Sequence, residues 1–249
     1  SRRWWSSWGI FTFGIIKAMS ELGIPIDCVS GCSFGALAGG MYAMTAADPT
    51  SLKGVIERVM GHMFSTRGMM MDINYPRTAM FTGRYLNTVL QQIFARRRCE
   101  DLLIPFACTS TDIQNFDAKT HKEGALWRIV RASMSLVGFV PPLPHHETRA
   151  EDGQICYSLL VDGGYTNQYP TEELRNLGAG TVVCVQACPE YDPISTAYGD
   201  RVLGGTISLL RLLRIKWRWY EGPDPPAQSE IQERLMYLPD WLKGDPDAL

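Results

Sequence analysis

The pentapeptide Gly31-Cys32-Ser33-Phe34-Gly35 lies between a short apolar run, residues 26–30, and a stretch of small residues, Ala36-Leu37-Ala38-Gly39-Gly40-Met41-Tyr42-Ala43. The run reads as a buried strand. The small residues read as a helix packed tightly under a sheet, although two glycines lower its propensity. Upstream, Ile15, Ile16, Ala18, Met19 and Leu22 fall at helical spacing from Gly14 onward, and Gly23-Ile24-Pro25 stops that helix. Helix, strand, sharp turn, helix is the resulting order, and it points to an α/β architecture.

The rest of the chain continues the alternation. Residues 52–64 and 85–94 carry helical periodicity, and residues 104–113 read as a strand. Residues 125–134 look helical, with Arg128 and Arg131 on one side. A strand at 157–161, a helix at 171–177 and a strand at 180–187 follow. Strands alternating with helices imply a largely parallel sheet covered on both faces. With 249 residues, 45% of them hydrophobic, the chain suits one α/β domain better than two. Beyond Pro189 the regularity fades. Residues 203–220 mix leucines and tryptophans with Arg211, Arg214, Lys216 and Arg218, a pattern that suits either an anionic membrane surface or an ordinary docked helix. Residues 229–238 read as a short helix after a Pro-rich loop.

A serine is a poor nucleophile until a base takes its proton and its side chain is held clear of the backbone. A strand-to-helix turn with glycines two before and two after the serine does the second. Gly31, Ser33 and Gly35 have that spacing, and a helix beginning beyond them points its N-terminal amides at the reacting centre. A bare GxSxG arises by chance in about one chain in ten of this size. Its position between an apolar strand and a small-residue helix makes it far more specific.

Two bases are open. A Ser, acid, His order predicts a late histidine, yet the four histidines, at 62, 121, 145 and 146, all precede Asp162. A triad of Ser33, Asp112 and His145 is formally available, but His145 and His146 follow Pro141-Pro142-Leu143-Pro144 and read as exposed loop residues. The other base is Asp162, where an apolar strand ends in Asp162-Gly163-Gly164. A carboxylate at the carboxyl end of a parallel strand faces the same rim as the serine turn. Partial burial would raise its pKa toward a useful value. The serine turn, the aspartate turn and the missing late histidine together favour a Ser33–Asp162 dyad.

Composition excludes other classes. A net charge of -2 and a pI near 6.1 give no broad positive field for nucleic acid. Seven cysteines, at 28, 32, 99, 108, 156, 184 and 188, lack paired zinc spacing and read as reduced, mostly buried thiols. The opening residues have no signal-peptide layout, and no apolar run is long enough to span a bilayer. The chain reads as an excised domain.

With these residues assembled, the sequence resembles the patatin-like phospholipase family, in its neuropathy-target-esterase branch of lysophospholipases. Besides the serine and aspartate turns, the resemblance rests on Met80-Phe81-Thr82-Gly83, Leu126-Trp127-Arg128, Arg131-Ala132-Ser133-Met134, Pro141-Pro142, Tyr198-Gly199-Asp200 and Glu230-Ile231-Gln232-Glu233-Arg234-Leu235. It implies a three-layer α/β/α fold with a mostly parallel sheet, and one domain over 1–249 whose residues 189–249 form a packed extension. It implies Ser33 as nucleophile and Asp162 as proton acceptor, with Gly31, Gly35, Gly163 and Gly164 as motif glycines. Hydrolysis of phospholipid or lysophospholipid acyl esters through an acyl-enzyme is the implied activity, with no metal and no cofactor. The implied setting is intracellular, on the cytosolic face of the endoplasmic reticulum or another endomembrane.

One departure stands out. The family carries a first strand and a glycine-rich loop, whose amides form the oxyanion hole, before the helix near Gly14. Here residues 1–8 diverge and bring tryptophans, leaving only Gly9 and Gly14 in matching places. The candidate oxyanion donors are then the backbone amides of Gly9 and Phe34. Loss of the loop suggests as an alternative a catalytically silent lipid-binding or interaction module. Cys32, where relatives often carry threonine, reads as a minor change. Residues 139–143 and the methionines at 69–71 are candidate acyl-chain contacts, with plain packing favoured for the methionines.

Overall fold

The computed structural model of the chain describes residues 4–45, 65–75, 78–148 and 153–185, together with residues 54, 56 and 61. The expected helices at 52–64 and 229–238, the amphipathic stretch 203–220 and the extension 189–249 lie wholly or mostly outside these residues.

The elements run α1 (Trp4–Glu21), β1 (Val29–Cys32), α2 (Phe34–Thr45), α3 (Thr66–Met71), α4 (Arg84–Phe94), β2 (Phe106–Asp112), β3 (Asp117–His121), α5 (Leu126–Ser133), β4 (Leu143–Thr148), β5 (Ile155–Asp162) and α6 (Thr171–Asn176). Helix α1 therefore begins ten residues before Gly14 and takes in Gly9. The chain has the expected α/β fold. Strand β2 is buried along its whole length, which requires cover on both faces. Helices α2 and α5 cover one face. A 3-10 turn at Gly163–Tyr165 covers the other, and α6 packs beside it against β1. The core between the sheet and the first pair of helices contains Leu37, Met41, Leu90, Phe94, Phe106, Leu126 and Val130. The glycines that weaken α2 as a helix let it lie flat on the sheet: a Cβ on Gly39 would stand 2.8 Å from Val29 Cγ1 and 3.2 Å from the Phe106 ring.

Strand order is β1-β2-β5-β4, with β3 also paired to β2. Among the described strands, parallel pairing is confined to β1–β2, whereas the sequence pattern suggests it through most of the sheet. The β2–β3, β2–β5 and β4–β5 pairs are antiparallel. Two strands that the pattern does not reveal account for part of this. β3 returns from β2 through a turn whose Phe116 takes φ 59 without being glycine, and the Asp112 carboxylate holds that turn by accepting from Gln114 N at 2.9 Å and Asn115 Nδ2 at 2.7 Å. β4 lies at the sheet edge, where Pro144 within it costs no ladder bond on the open side. His145 and His146 thus sit in a strand, not a loop. The strand expected at 180–187 is not formed over its described part: residues 180–185 are in no strand and Val183 is exposed. A β-branched run makes a strand only against a partner edge, and β2 is the one described neighbour of β1.

Arg131 ties the helical layer to the loops. It is 2% exposed, and burial pulls its guanidinium down to about 10, opposed by the nearby Asp72 charge. Nε donates to Asn87 Oδ1 at 2.8 Å, Nη2 to the Pro141 carbonyl at 3.1 Å, and Nη1 to the Ser135 hydroxyl. Removing such a cation strands several buried acceptors, so Arg131→Met is expected to cost about 3 kcal/mol, read as a lower urea midpoint with an unchanged m-value.

Candidate active site

Strand β1 ends at Cys32 opposite Thr109 of β2, and β5 ends at Asp162 opposite the next residue, Ser110. With β3 on the other edge of β2, these two strands pair with one and the same edge from opposite directions, so their last residues meet end to end at its middle. Register therefore brings Ser33 and Asp162 together, rather than the shared rim of a parallel sheet. Ser33 Oγ donates to Asp162 Oδ2 at 2.7 Å.

The serine turn is tight. Ser33 has φ +52, a left-handed conformation that non-glycine residues adopt at a cost, and its carbonyl accepts from Ala36 N at 3.0 Å as α2 begins. Its own N–H is spent on Ser133 Oγ at 2.8 Å, which fastens the turn to the end of α5. Gly31 is required by contact: a Cβ there would lie 2.4 Å from the Gly35 carbonyl oxygen and 2.6 Å from Ala36 N. Gly35 is different, because nothing lies within 4 Å of the position its Cβ would take.

Asp162 is fully buried, and desolvation raises its carboxyl to about 6. Three donors oppose that rise without cancelling it: Gly164 N to Oδ1 at 3.0 Å, the Ser33 hydroxyl, and the Cys32 thiol to Oδ1 at 3.7 Å. The Asp162 backbone is fixed as well, its N–H donating to the Ser135 carbonyl at 3.0 Å and its carbonyl accepting from Thr111 Oγ1 at 2.8 Å. Gly163 crosses so close above β2 that a Cβ would meet the Thr109 carbonyl oxygen at 2.4 Å. The two glycines after the aspartate do separate things: one permits close approach and the other supplies an amide.

Cys32 is more than a small filler before the serine. Burial, then the Asp162 charge, pushes its thiol well above the ordinary range, so it stays protonated and donates to the carboxylate. The roles of Ser133 and Ser135 are not visible in the sequence, because bonds between separate elements, from Ser133 to Ser33 and from Ser135 to Asp162, leave no local pattern. The Phe34 N–H lies in the first turn of α2, where amides have no acceptor within the helix. Gly9 lies inside α1, where its N–H is directed along the helix to the preceding turn.

The alternative triad does not assemble. The Asp112 carboxylate is committed to the β2–β3 turn and is held down to about 2 despite its burial, by hydrogen bonds from Ser158, Asn115 and Gln114. His145 Nε2 pairs with Glu147 Oε1 at 2.9 Å, and its ring stands edge-on to His121. Among the described residues no group of three or more His, Cys, Asp or Glu side chains is placed to hold a metal ion.

A family model described as patatin-like phospholipase matches residues 6–175. The chain is 35% identical over 230 residues to patatin-like phospholipase domain-containing protein 6 of Homo sapiens, covering 92% of the chain and 16% of that relative. It is 36% identical over 231 residues to lysophospholipase nte1 of Emericella nidulans, covering 92% of the chain and 14% of the relative. A third relative, patatin-like phospholipase domain-containing protein ZK370.4 of Caenorhabditis elegans, is 37% identical over 227 residues, 90% of the chain. The chain thus spans about one sixth of the length of the curated relatives it matches.

The contrast between the flanking glycines is testable. Gly31→Ala should lower stability by about 3 kcal/mol or prevent folding, since backbone must move. Gly35→Ala should melt within a few degrees of wild type in a thermal scan.

Proposed function

Since the chain belongs to the patatin-like phospholipase family, we propose that it carries a serine esterase site for phospholipid or lysophospholipid acyl esters, worked by Ser33 and Asp162. The observation that carries this reading is the 2.7 Å bond from Ser33 Oγ to a fully buried carboxylate. Asp162 in its ionised form takes the hydroxyl proton while Ser33 Oγ attacks the acyl carbonyl carbon. The protonated carboxyl then returns the proton to the departing alcohol oxygen, leaving an acyl-serine. Water, deprotonated by the same carboxylate, adds to that ester; the acyl–Oγ bond breaks, the carboxyl returns its proton to Ser33 Oγ, and the fatty acid departs. Developing negative charge on the carbonyl oxygen is met by the α2 N-terminus, with the Phe34 N–H as its donor. Gly9 contributes no amide from within α1, so the hole rests on fewer donors than a glycine loop would give.

The same observation about α1 favours the second reading, a lipid-binding module with little catalysis, since one lost oxyanion donor costs about 10²–10³ in rate. Whichever holds, the ligand is an acyl lipid at a membrane surface. The six described cysteines are all free thiols. No helix among the described residues is long and apolar enough to cross a membrane.

Labelling by a fluorophosphonate probe and fatty-acid release from lysophosphatidylcholine should both fall by about 10³ or more in Ser33→Ala, and release should fall comparably in Asp162→Asn. A folded wild type that neither labels nor releases fatty acid would leave the binding module. The reaction needs ionised Asp162, and burial lifts that group to about 6. kcat/KM should therefore climb tenfold per pH unit below about 6 and level off above it.

A further inference from the structure

Helix α3 and the segment joining it to α4 carry a group of apolar residues outward. Met69, Met70, Met71, Ile73, Tyr75 and Met80 are all exposed, Met71 and Tyr75 by more than four-fifths. Plain packing, which the sequence favours for the methionines, does not describe them.

This exposure is built, not frayed. Gly68 turns the inner side of α3 onto α4, where a Cβ would stand 2.3 Å from the Tyr85 ring. The loop that follows is closed on itself: Asn74 N donates to the Met80 carbonyl at 2.8 Å and Thr82 N to the Asp72 carbonyl at 2.9 Å. The Asp72 carboxylate, 7% exposed, accepts from Gly83 N at 3.0 Å and from the Thr82 hydroxyl.

Charge on the segment has one sign at the surface. From Ser65 to Arg98 the sole acidic residue is Asp72, which is turned inward, whereas Arg67 and Arg84 are exposed at the two ends of the patch. The patch is also tied to the candidate site by hydrogen bonds. Met80 N donates to the Gly138 carbonyl at 2.8 Å, exposed Val137 donates its N–H to Tyr165 Oη at 3.2 Å, and Ser135 of the same loop holds the Asp162 backbone.

An apolar platform with a basic rim and no exposed carboxylate matches an anionic lipid surface, with side chains entering the acyl boundary and arginines at the headgroup phosphates. A protein partner would find few polar groups to pair there. We propose that residues 67–75, with Met80 and Val137, form the face by which this domain lies on an anionic lipid surface, so that the Ser33–Asp162 site opens toward the lipid. The proposal rests on the lipid-ester reading for its purpose, but its test does not depend on catalysis.

Vesicles of diether phosphatidylcholine with diether phosphatidylserine contain no acyl ester, so binding to them is independent of hydrolysis. The full chain should co-sediment with them, and Met70→Asp with Met71→Asp should weaken partitioning roughly tenfold or more. Arg67→Glu with Arg84→Glu should remove the dependence on phosphatidylserine. The fluorescence that Met71→Trp adds to that of the seven native tryptophans should be quenched by brominated alkyl chains on the same diether lipids. The proposal is overturned if the double methionine variant, folded by circular dichroism, partitions like wild type, or if the fluorescence that Met71→Trp adds is not quenched while the protein is bound. It is equally overturned if wild type fails to bind, or if the methionine changes abolish only self-association by light scattering. Loss of esterase activity in Ser33→Ala with vesicle binding retained separates this face from the catalytic reading.

Discussion

A carboxylate with no exposed surface is costly to keep ionised, and the middle of this domain is arranged around one. Asp162 accepts three hydrogen bonds, from a backbone amide, a hydroxyl and a thiol, yet burial still holds its pKa near 6 rather than the usual carboxylate value. That balance suits a base: too many donors would leave it inert, and too few would leave it protonated at neutral pH. The structure reaches the balance with very short-range features. Gly163 presses the chain against β2, Gly31 closes the serine turn, and Ser133 and Ser135 fasten the two halves from a single stretch of chain at the end of α5.

That same stretch connects inward and outward. Arg131 holds Ser135 and reaches Asn87 and Pro141, with Asp72 close enough to act on its charge. The α5 terminus, the Asp72–Thr82 loop and the loop to β4 therefore form one polar assembly beneath an apolar surface. The candidate site and the exposed methionine segment are held by a common set of buried bonds, so their relative position is fixed by chemistry rather than by loop length.

Much of this was legible in the sequence, for identifiable reasons. The serine turn was readable because strand, turn and helix are consecutive and each leaves a local pattern. Asp162 was readable from the apolar run ending in two glycines. What could not be read were features set by pairing partners. β3 depends on a left-handed Phe116, and β4 contains Pro144 and follows Pro141-Pro142, a pattern that sequence rules assign to a loop. Residues 180–185 have a strand's composition and no strand. The outward aim of Met69–Met71 depends on the Gly68 contact with Tyr85, which no periodicity in a six-residue helix reveals. Cys32 reads from sequence as a minor change because its partner lies 130 residues away.

The convergence of β1 and β5 over the middle of β2 has a further consequence. Side chains alternate across a sheet with period two, so a slip of one residue in the β2–β5 pairing would carry the Asp162 carboxylate to the opposite face. No partly competent intermediate lies between the two registers. The 2.7 Å bond between Ser33 and Asp162 is then available in one register and absent from the other, so this single contact reports the pairing of its own sheet.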